Sequence, residues 1–252
     1  MLLTPLEQFQ IISLFSIKLF CFDFSFTNLL LINLIVLVLF SNLVKFTLSD
    51  KNSFFIIPSN WQTLIETVYE TVSQLLFDNL NIEGEKYFPF ISVLFLFILL
   101  VNLIGLIPYS FTITSHLIVT FTFSFSIFIG VNIICLNIHK FEILSLFIPS
   151  NTSISLAFLL VPIEFISYFF KPISLGVRLF ANLMAGHTLL KVIVGFSWSM
   201  LLLDNLFISI LHIIPLLILI LLTGLELGVA IIQAYVFTIL TCIYLNDSIN
   251  LH

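Results

Sequence analysis

The sequence predicts an all-α integral membrane protein with about five membrane-crossing helices and one interfacial amphipathic helix. Of the 252 residues, 60% are hydrophobic and only 8% are charged, whereas a soluble domain carries about 25% charged residues. Residues 88–246 contain just eight charged side chains. Long sequences with so few charges are typical of membrane spans, because placing an ionisable group at the bilayer centre costs a free energy of at least about 2.5–3.5 kcal/mol.

The same composition excludes several functional classes. A soluble globular enzyme could not cover its surface with so few polar groups. The net charge of −5 and the scattered Lys and Arg residues argue against nucleic-acid binding. Cys21, Cys135 and Cys242 have no CxxC spacing and favour neither a disulfide framework nor a metal site. No motif for a cofactor or metal is present, and none is predicted.

The N-terminal segment, 1–28, has no targeting signal that can be recognised. MLLTPLEQFQ lacks both a basic region before a short apolar core and an Arg-rich presequence. The chain has a single Arg and an excess of Phe, Ile, Leu and Asn, which indicates the codon bias of an AT-rich organellar genome. We therefore expect that the chain is made inside an organelle and needs no import.

Segment 29–46 is the first predicted span, and segment 59–80 is predicted to lie in the membrane interface. In 59–80, apolar residues recur at i, i+3, i+4 and i+7, while Glu66, Glu70 and Gln74 take the opposite face. Pro58-Ser59 followed by Gln62 resembles a capping box. A helix with this amphipathic pattern lies in the interface rather than across the bilayer.

A helical hairpin is predicted over 88–138. Its two spans, Phe88–Pro108 and Leu117–Ile138, are joined by the short loop Tyr109–His116. Asn102 lies within the first span and is expected to form a helix–helix hydrogen bond. His116 is expected to sit at the membrane interface, where the second span begins.

Segment 151–246 predicts two long helices that are strongly oblique in the membrane or broken. The first, Ile154–Leu203, contains Pro162 and Pro172, and the second is Leu206–Leu245. From Pro172 onward the first would measure about 48 Å as a helix. A core of about 30 Å accommodates that length only at a tilt above the usual range. Because no Gly/Ser-rich linker interrupts the chain, 1–252 is interpreted as a single membrane domain.

The distribution of lysines predicts the topology. With five crossings the termini lie on opposite faces, and the loops on the side of the C-terminus carry the Lys residues. The positive-inside rule therefore places His252 inside and Met1 outside, with Lys18 as the exception. The residues that support this orientation are Lys45, Lys51, Lys86 and Lys140.

Arg178 is the only Arg in the chain and lies in the apolar sequence SLGVRLFANLMAGH. Guanidinium stays protonated in proteins, so this residue is a permanent cation. Small side chains share its helix face, which favours close approach of another membrane helix that carries a carboxylate. An internal ion pair with Glu226 or Glu164 is the alternative. The small residues of this stripe are Ser174, Ala181 and Ala185.

Four further polar residues occur near Arg178 and in the last helix. Asn182, four residues on, could orient the guanidinium or hold water. His187 could join a hydrated passage, or it could simply be hydrogen-bonded. Glu226 and Gln233 share one helix face, beside the GxxxG pair Gly224 and Gly228. A glutamate inside a membrane needs a partner, water or a proton.

Glu164 and Asp247 complete the polar set. Glu164 lies fourteen residues before Arg178, on nearly the same face of an ideal helix, although Pro172 is expected to bend it. Asp247 is in the boundary segment YLNDSINLH, where it could also be a plain exposed carboxylate. Glu164 and Asp247 are expected near the inner face, and His187 and Glu226 towards the outer half. This pattern predicts a proton path in two halves that are divided by a fixed cation.

At this level of detail the chain resembles subunit a of the mitochondrial F-type ATP synthases. The resemblance covers about residues 58–252 and rests on three motifs in family order, while residues 10–57 match poorly. TPLEQF (4–9) resembles the N-terminus of plant-like members. The motifs are NLIGLIPYSFTITSH (102–116), ISLGVRLFANLMAGH (173–187) and TGLELGVAIIQAYVFTILTCIYLNDSINLH (223–252).

The resemblance implies a proton-translocating, non-catalytic subunit of the mitochondrial inner membrane. Its two long helices would pack against a ring of c subunits, with other Fo and peripheral-stalk subunits as further partners. Arg178 would face the ring, with Asn182 and Gln233 as polar companions. The resemblance implies that His187 and Glu226 line a half-channel to the intermembrane space. It assigns Glu164 and Asp247 to a half-channel that opens to the matrix.

Other functions remain open on the residues alone. A stand-alone ion antiporter or channel would be expected to carry paired half-helices with internal repeats, and the sequence has no such repeat. A structural subunit of another respiratory complex would leave the intramembrane Arg, Glu and Gln residues without a function. An intramembrane hydrolase lacks an evident nucleophile–base pair.

Overall fold

The structure is a computed structural model that describes residues 5–19, 22–48, 60–107, 110–140, 154–202 and 211–250. These ranges are mainly helical. The helices are α1 (Asn28–Leu48), α2 (Asn60–Leu80), α3 (Phe88–Gly105), α4 (Leu117–His139), α5 (Ile154–Leu201) and α6 (Ile213–Ile249). Short 3-10 helices occur at Pro5–Phe9, Asn81–Tyr87 and Ile113–Ser115.

Four of these helical segments are long and apolar enough to cross a membrane, and they confirm the predicted all-α membrane class. They comprise the predicted hairpin and the two long C-terminal helices. Helix α1, at the predicted first span 29–46, contributes a shorter apolar helix, Asn28–Leu43. The four candidate spans are Gly84–Gly105, Leu117–His139, Phe158–Leu201 and Ile213–Ile249.

The segment before α1 contains short strands that the sequence did not predict. Strand β1 (Ser13–Phe15) pairs antiparallel with β4 (Phe26–Thr27), and β2 (Lys18–Leu19) pairs with β3 (Phe22–Asp23). Asn28 joins this hairpin to α1, because its Oδ1 accepts hydrogen bonds from both Ile12 N and Leu29 N. The ladders are only two or three residues long, so the chain remains essentially helical.

Helix α2 has the predicted amphipathic character, but only its C-terminal half is packed against the protein. The aliphatic residues of that half are buried, whereas Leu64 is 54% exposed. Tyr69 contacts Phe88 at the start of α3, with ring centroids 4.6 Å apart. Pro58 and Ser59 of the predicted cap lie outside the described residues. The buried side chains are Val72, Leu75, Leu76 and Leu80.

Some prolines of these helices lie in the first turn of a helix, and others lie in the middle of one. Pro89 and Pro215 lie in the first turns of α3 and α6, where the absent N–H is not needed. Pro162 and Pro172 lie inside α5, which nevertheless continues over 48 residues. Of the two predicted alternatives, the structure therefore gives an unbroken α5. Membrane helices tolerate proline because neighbouring groups satisfy the freed carbonyls, and a helix of this length measures about 72 Å.

The chain divides into two compact units, and the segments of one unit alternate with those of the other along the sequence. The first unit comprises Met1–Phe46, Phe97–His116 and Leu179–Ala234. The second unit comprises Thr47–Leu96, Leu117–Arg178 and Tyr235–His252. The organisation of 1–252 as a single membrane domain stays a prediction.

A close approach of α5 to α4 fixes the rotation of α5 in the second unit. A Cβ on Gly176 would lie 2.7 Å from Ser124 Oγ and 3.1 Å from the Thr120 carbonyl oxygen. Only glycine therefore fits between the two helices at this point. The neighbouring Leu175 is also buried, while Arg178 and Ser174 are exposed.

Candidate functional site

The face of α5 that carries Arg178 is exposed in the structure. Ser174, Arg178, Ala181 and Ala185 are all exposed, whereas Leu175, Leu179 and Leu183 are buried on the other side of the helix. The guanidinium forms no ion pair with any carboxylate of the described residues. A permanent cation among small side chains is thus presented outward, where another membrane helix can reach it.

In the first unit, α5 and α6 are joined by a hydrogen bond between two amides. Asn182 Nδ2 donates to Gln233 Oε1 over 2.9 Å. Gln233 is 5% exposed, whereas Asn182 keeps an exposed edge on the face of the small-residue stripe. The two residues predicted as polar companions of Arg178 therefore contact each other.

Glu226 lies against the backbone of α5 in the same unit. A Cβ on Gly186 would lie 2.5 Å from Glu226 Oε1 and 3.1 Å from its Cδ, so the carboxyl group occupies the space that glycine leaves open. The next residue on α5 is His187. Sequence reasoning missed the role of Gly186, because nothing in the motif indicates which residue of α6 packs there.

Several buried polar atoms of the first unit have no hydrogen-bond partner among the described residues. They include one carboxylate oxygen of Glu226 and the Nε2 atom of His187. Unpartnered polar atoms inside a protein are costly and normally bind water or a proton. We refer to these residues as the Glu226 set. Its members are Asn102, Thr112, Thr114, His187 and Glu226.

Asn102 is the member of the Glu226 set on α3, and it contacts α6. Its side chain is fully buried, and its Nδ2 donates to the Ala230 carbonyl oxygen over 3.3 Å. This is the helix–helix hydrogen bond predicted for it, but Oδ1 has no partner among the described residues. Thr112 and Thr114 were not predicted, although the polar run in YSFTITSH was a signal that could have indicated them.

His116 closes the loop before α4. Its ring stacks on Phe111, with the ring centroids 5.1 Å apart. Burial lowers the pKa of His116 below the ordinary value of 6.5, because desolvation disfavours the charged imidazolium. His116 therefore favours the neutral state in the folded chain.

The second unit contains a cavity of about 220 Å³ that is lined by both apolar and charged side chains, and we call it the Lys171 cavity. Helices α4, α5 and α6 contribute its wall. Glu164 and Asp247, the two carboxylates predicted to act together, both line it. The remaining polar lining residues are Ser167, Tyr168, Lys171, Tyr244, Ser248 and Asn250.

An ion pair organises the Lys171 cavity. Lys171 Nζ lies 3.0 Å from Asp247 Oδ2, and it also lies 5.4 Å from the ring centroid of Tyr168. The Tyr168 hydroxyl donates to Asn132 on α4. The ion pair was not predicted. A signal was present, however, because Lys171 is seven residues from both Glu164 and Arg178 and shares their helix stripe.

The predicted residues are thus distributed over both units. Glu226 and His187 belong to the first unit, together with Asn182 and Gln233, whereas Glu164 and Asp247 share a cavity of the second. Among the described residues, no group of three or more His, Cys, Asp or Glu side chains could hold a metal ion.

Comparison with known proteins identifies the family. Residues 29–246 match the sequence profile of the ATP synthase A chain. The chain belongs to this family. It is 54% identical over 250 residues to "ATP synthase subunit a" of Pylaiella littoralis, with 99% of each chain covered. It is 48% identical over 251 residues to the protein of that name in Chondrus crispus, covering 99% of this chain and 97% of the relative.

A third relative is similar over nearly its whole length. The chain is 48% identical over 255 residues to "ATP synthase subunit a" of Marchantia polymorpha, with 99% of each chain covered. Membership of the ATP synthase A chain family confirms the predicted resemblance. The alignments also run through residues 10–57, where the sequence motifs alone gave only a poor match. The protein is thus a multi-pass membrane member of this family.

Proposed function

We propose that this chain is the stator subunit of an Fo motor, in which it couples proton flow to rotation of a ring of c subunits and so to ATP synthesis. The observation that carries the proposal is the division of the polar residues into the Glu226 set and the Lys171 cavity. A single continuous pore would need one polar lining from end to end, whereas two offset half-channels would need two separate polar linings.

The Glu226 set is the proposed half-channel for proton uptake. Its unpartnered carboxylate and imidazole atoms can bind water or protons without first breaking an internal bond. The carboxylate of Glu226 lies beside the α5 backbone at Gly186, one residue from His187. A proton that enters here would neutralise a ring carboxylate, which could then rotate into lipid.

Arg178 is the proposed barrier between the half-channels. Its guanidinium is exposed on the small-residue stripe and has no carboxylate partner in the described residues. It can therefore attract an ionised carboxylate of the ring while it repels a free proton. Asn182 is exposed on the same face and is held by its hydrogen bond to the buried Gln233, so it would keep a polar group on the ring-facing side.

The Lys171 cavity is the proposed half-channel for proton release. A ring carboxylate that has completed its turn would lose its proton towards the cavity lined by Glu164 and Asp247, and would then pass Arg178 as an anion. A proton that crosses the membrane gains about 2.3 kcal/mol per 100 mV. This energy would drive rotation.

The proposal includes a location and partners. We place the chain in the mitochondrial inner membrane, with its N-terminus towards the intermembrane space and its C-terminus in the matrix, as the lysine distribution predicts. The c ring is the partner of the Arg178 face, and other Fo and peripheral-stalk subunits would hold the chain still. The chain itself would catalyse no chemical reaction.

Substitution of Arg178 tests the proposal in ATP synthase complexes reconstituted into liposomes. Arg178→Ala should abolish proton-driven ATP synthesis, and Arg178→Lys should fail largely as well, because lysine can lose its charge. Lys191→Gln on the same helix is the matched control and should keep normal rates. Normal ATP-driven proton pumping by Arg178→Ala would contradict the proposal.

Cross-linking tests the proposed partner. A cysteine at Ser174 or Ala181 should form a disulfide with a cysteine on the carboxylate-bearing helix of the ring, because both residues are exposed beside Arg178. A cysteine at Leu183, which is buried, should form none. Proton conductance by the purified chain alone would favour a stand-alone transporter instead.

A further inference from the structure

Lys171 has an unusually well-defined position for a lysine. Its ammonium lies 3.0 Å from Asp247 Oδ2 and 5.2–5.4 Å from the ring centroids of Tyr244 and Tyr168. A lysine side chain is flexible by nature. Here one carboxylate and two aromatic faces fix its charged end, so the cation has a specific place in the cavity wall.

Stability alone does not explain this ion pair. The Lys171 and Asp247 side chains are 33% and 46% exposed, and pairs with that much exposure contribute little to folding. Both side chains line the same cavity as Glu164. Their charges therefore act on whatever enters the cavity.

The two carboxylates of the cavity differ in their surroundings. Asp247 has an ammonium at hydrogen-bond distance, whereas Glu164 has no ion pair within the described ranges. Protonation of Asp247 would leave the Lys171 ammonium without its counter-ion, while protonation of Glu164 breaks no ion pair. The titratable or charged groups on the three helices around Asp247 are His139 and Cys135 on α4, Glu164, Tyr168, Lys171 and Arg178 on α5, and Tyr244 on α6.

We propose that Lys171 is a positioning residue that holds Asp247 as a fixed anion, so that Glu164 alone carries the proton through the Lys171 cavity. The neutral Lys171–Asp247 pair then lines the path without trapping a proton or repelling one. This inference rests on the proposed function and assigns separate tasks to the two acids of the release half-channel.

A charge-pair rescue tests the inference in reconstituted ATP synthase complexes. Lys171→Gln and Asp247→Asn should each lower proton-driven ATP synthesis roughly fivefold, because each leaves one uncompensated charge in the cavity. The double variant Lys171→Gln/Asp247→Asn restores neutrality and should recover the wild-type rate to within about twofold. Lys171→Arg keeps the cation and should stay close to wild type, and Lys191→Gln on the same helix is the control.

The pH profile separates this role from a merely structural one. In Lys171→Gln, Asp247 loses its counter-ion, so the dependence of the rate on release-side pH should shift. In Lys171→Arg the profile should match that of the wild type. An unchanged profile in Lys171→Gln would overturn the inference.

Two further results would also overturn it. A double variant as slow as Asp247→Asn would mean that Asp247 itself carries the proton. A near-normal rate in Glu164→Gln would mean that Glu164 does not. Arg178→Ala in the same preparations separates the two levels: normal pumping there refutes the proposed function, whereas its loss together with a failed rescue refutes only the role of Lys171.

Discussion

The two polar regions of the molecule satisfy their charges in opposite ways. In the Glu226 set, a carboxylate oxygen, an imidazole nitrogen and an amide oxygen have no partner among the described residues. In the Lys171 cavity, Asp247 of α6 forms an ion pair with the Lys171 ammonium, and the Tyr168 hydroxyl donates a hydrogen bond to Asn132. The Glu226 set thus has polar atoms without hydrogen-bond partners, whereas in the Lys171 cavity Asp247 is paired and Glu164 has no ion pair among the described residues.

Under the proposed function, this difference would let the protein handle one ion at two sites with different chemistry. Unpartnered groups bind water and protons readily, which suits uptake. In the Lys171 cavity, the ion pair of Lys171 and Asp247 carries no net charge, which would leave Glu164 as the acid for proton release. Substitutions in each region test this difference.

The largest effect is expected for Glu226→Gln. The amide keeps the size of the side chain but cannot carry a proton, and loss of a proton-transfer group typically costs about 10²-fold or more in rate. We expect proton-driven ATP synthesis in liposomes to fall by about that factor. Glu70→Gln on the exposed face of α2 is the control. A silent Glu226→Gln would favour a purely structural role for this chain.

Gly186→Ala should have the next largest effect. Its Cβ would lie 2.5 Å from Glu226 Oε1, so the carboxyl group must move, and displaced proton-transfer groups lose roughly tenfold or more in rate. Gly130→Ala on α4 is the matched control, because a Cβ there meets nothing within 4 Å. The measurement is the initial rate of synthesis at fixed proton gradient. Equal rates in the two variants would contradict the close packing.

Gln233→Leu should produce a smaller effect, mainly on stability. It removes the acceptor for Asn182 Nδ2 at 2.9 Å, a hydrogen bond worth about 1 kcal/mol. The melting temperature of the assembled complex should fall by about 2–4 °C. Gln74→Leu on the exposed face of α2 serves for comparison. No change in melting temperature would mean that this bond does not hold α5 to α6.

The smallest effect concerns His116. Because burial lowers its pKa below 6.5 in the folded chain, the unfolded chain binds more protons just below that pH. The contribution of His116 is therefore fully present above about pH 6.5 and decreases as the pH falls. His116→Phe should keep the stacking on Phe111, and the melting temperature of the variant should fall less than that of the wild type as the pH is lowered below about 6.5. An equal decrease in melting temperature in both proteins would contradict this prediction.

Much of the fold could be predicted from the sequence. Apolar runs and charge spacing placed α1 to α5 within a few residues, because the bilayer sets helix length. Helix α6 begins at Ile213 rather than at the predicted Leu206, and residues 203–210 lie outside the described ranges. The continuity of α5 through Pro162 and Pro172 could not be predicted, since it depends on neighbouring groups that satisfy the freed carbonyls. The short strands before α1 gave no alternating pattern to detect.

The candidate site was predictable only in its residue types. Arg178, Glu226 and Glu164 are conspicuous because charge is rare in this chain. Which groups meet was not predictable. The Lys171–Asp247 pair joins residues 76 positions apart, and the fit of Glu226 against Gly186 depends on the register between α5 and α6.

Proton flux with the rotor held still tests the central claim most directly. Complexes are reconstituted into liposomes, the c ring is cross-linked to the stator, and proton uptake is followed after a pH jump. Two half-channels separated by Arg178 predict that flux falls to the level of protein-free liposomes, and that Arg178→Ala restores a leak. Undiminished flux through the locked wild-type complex would contradict the account, because it requires one continuous path.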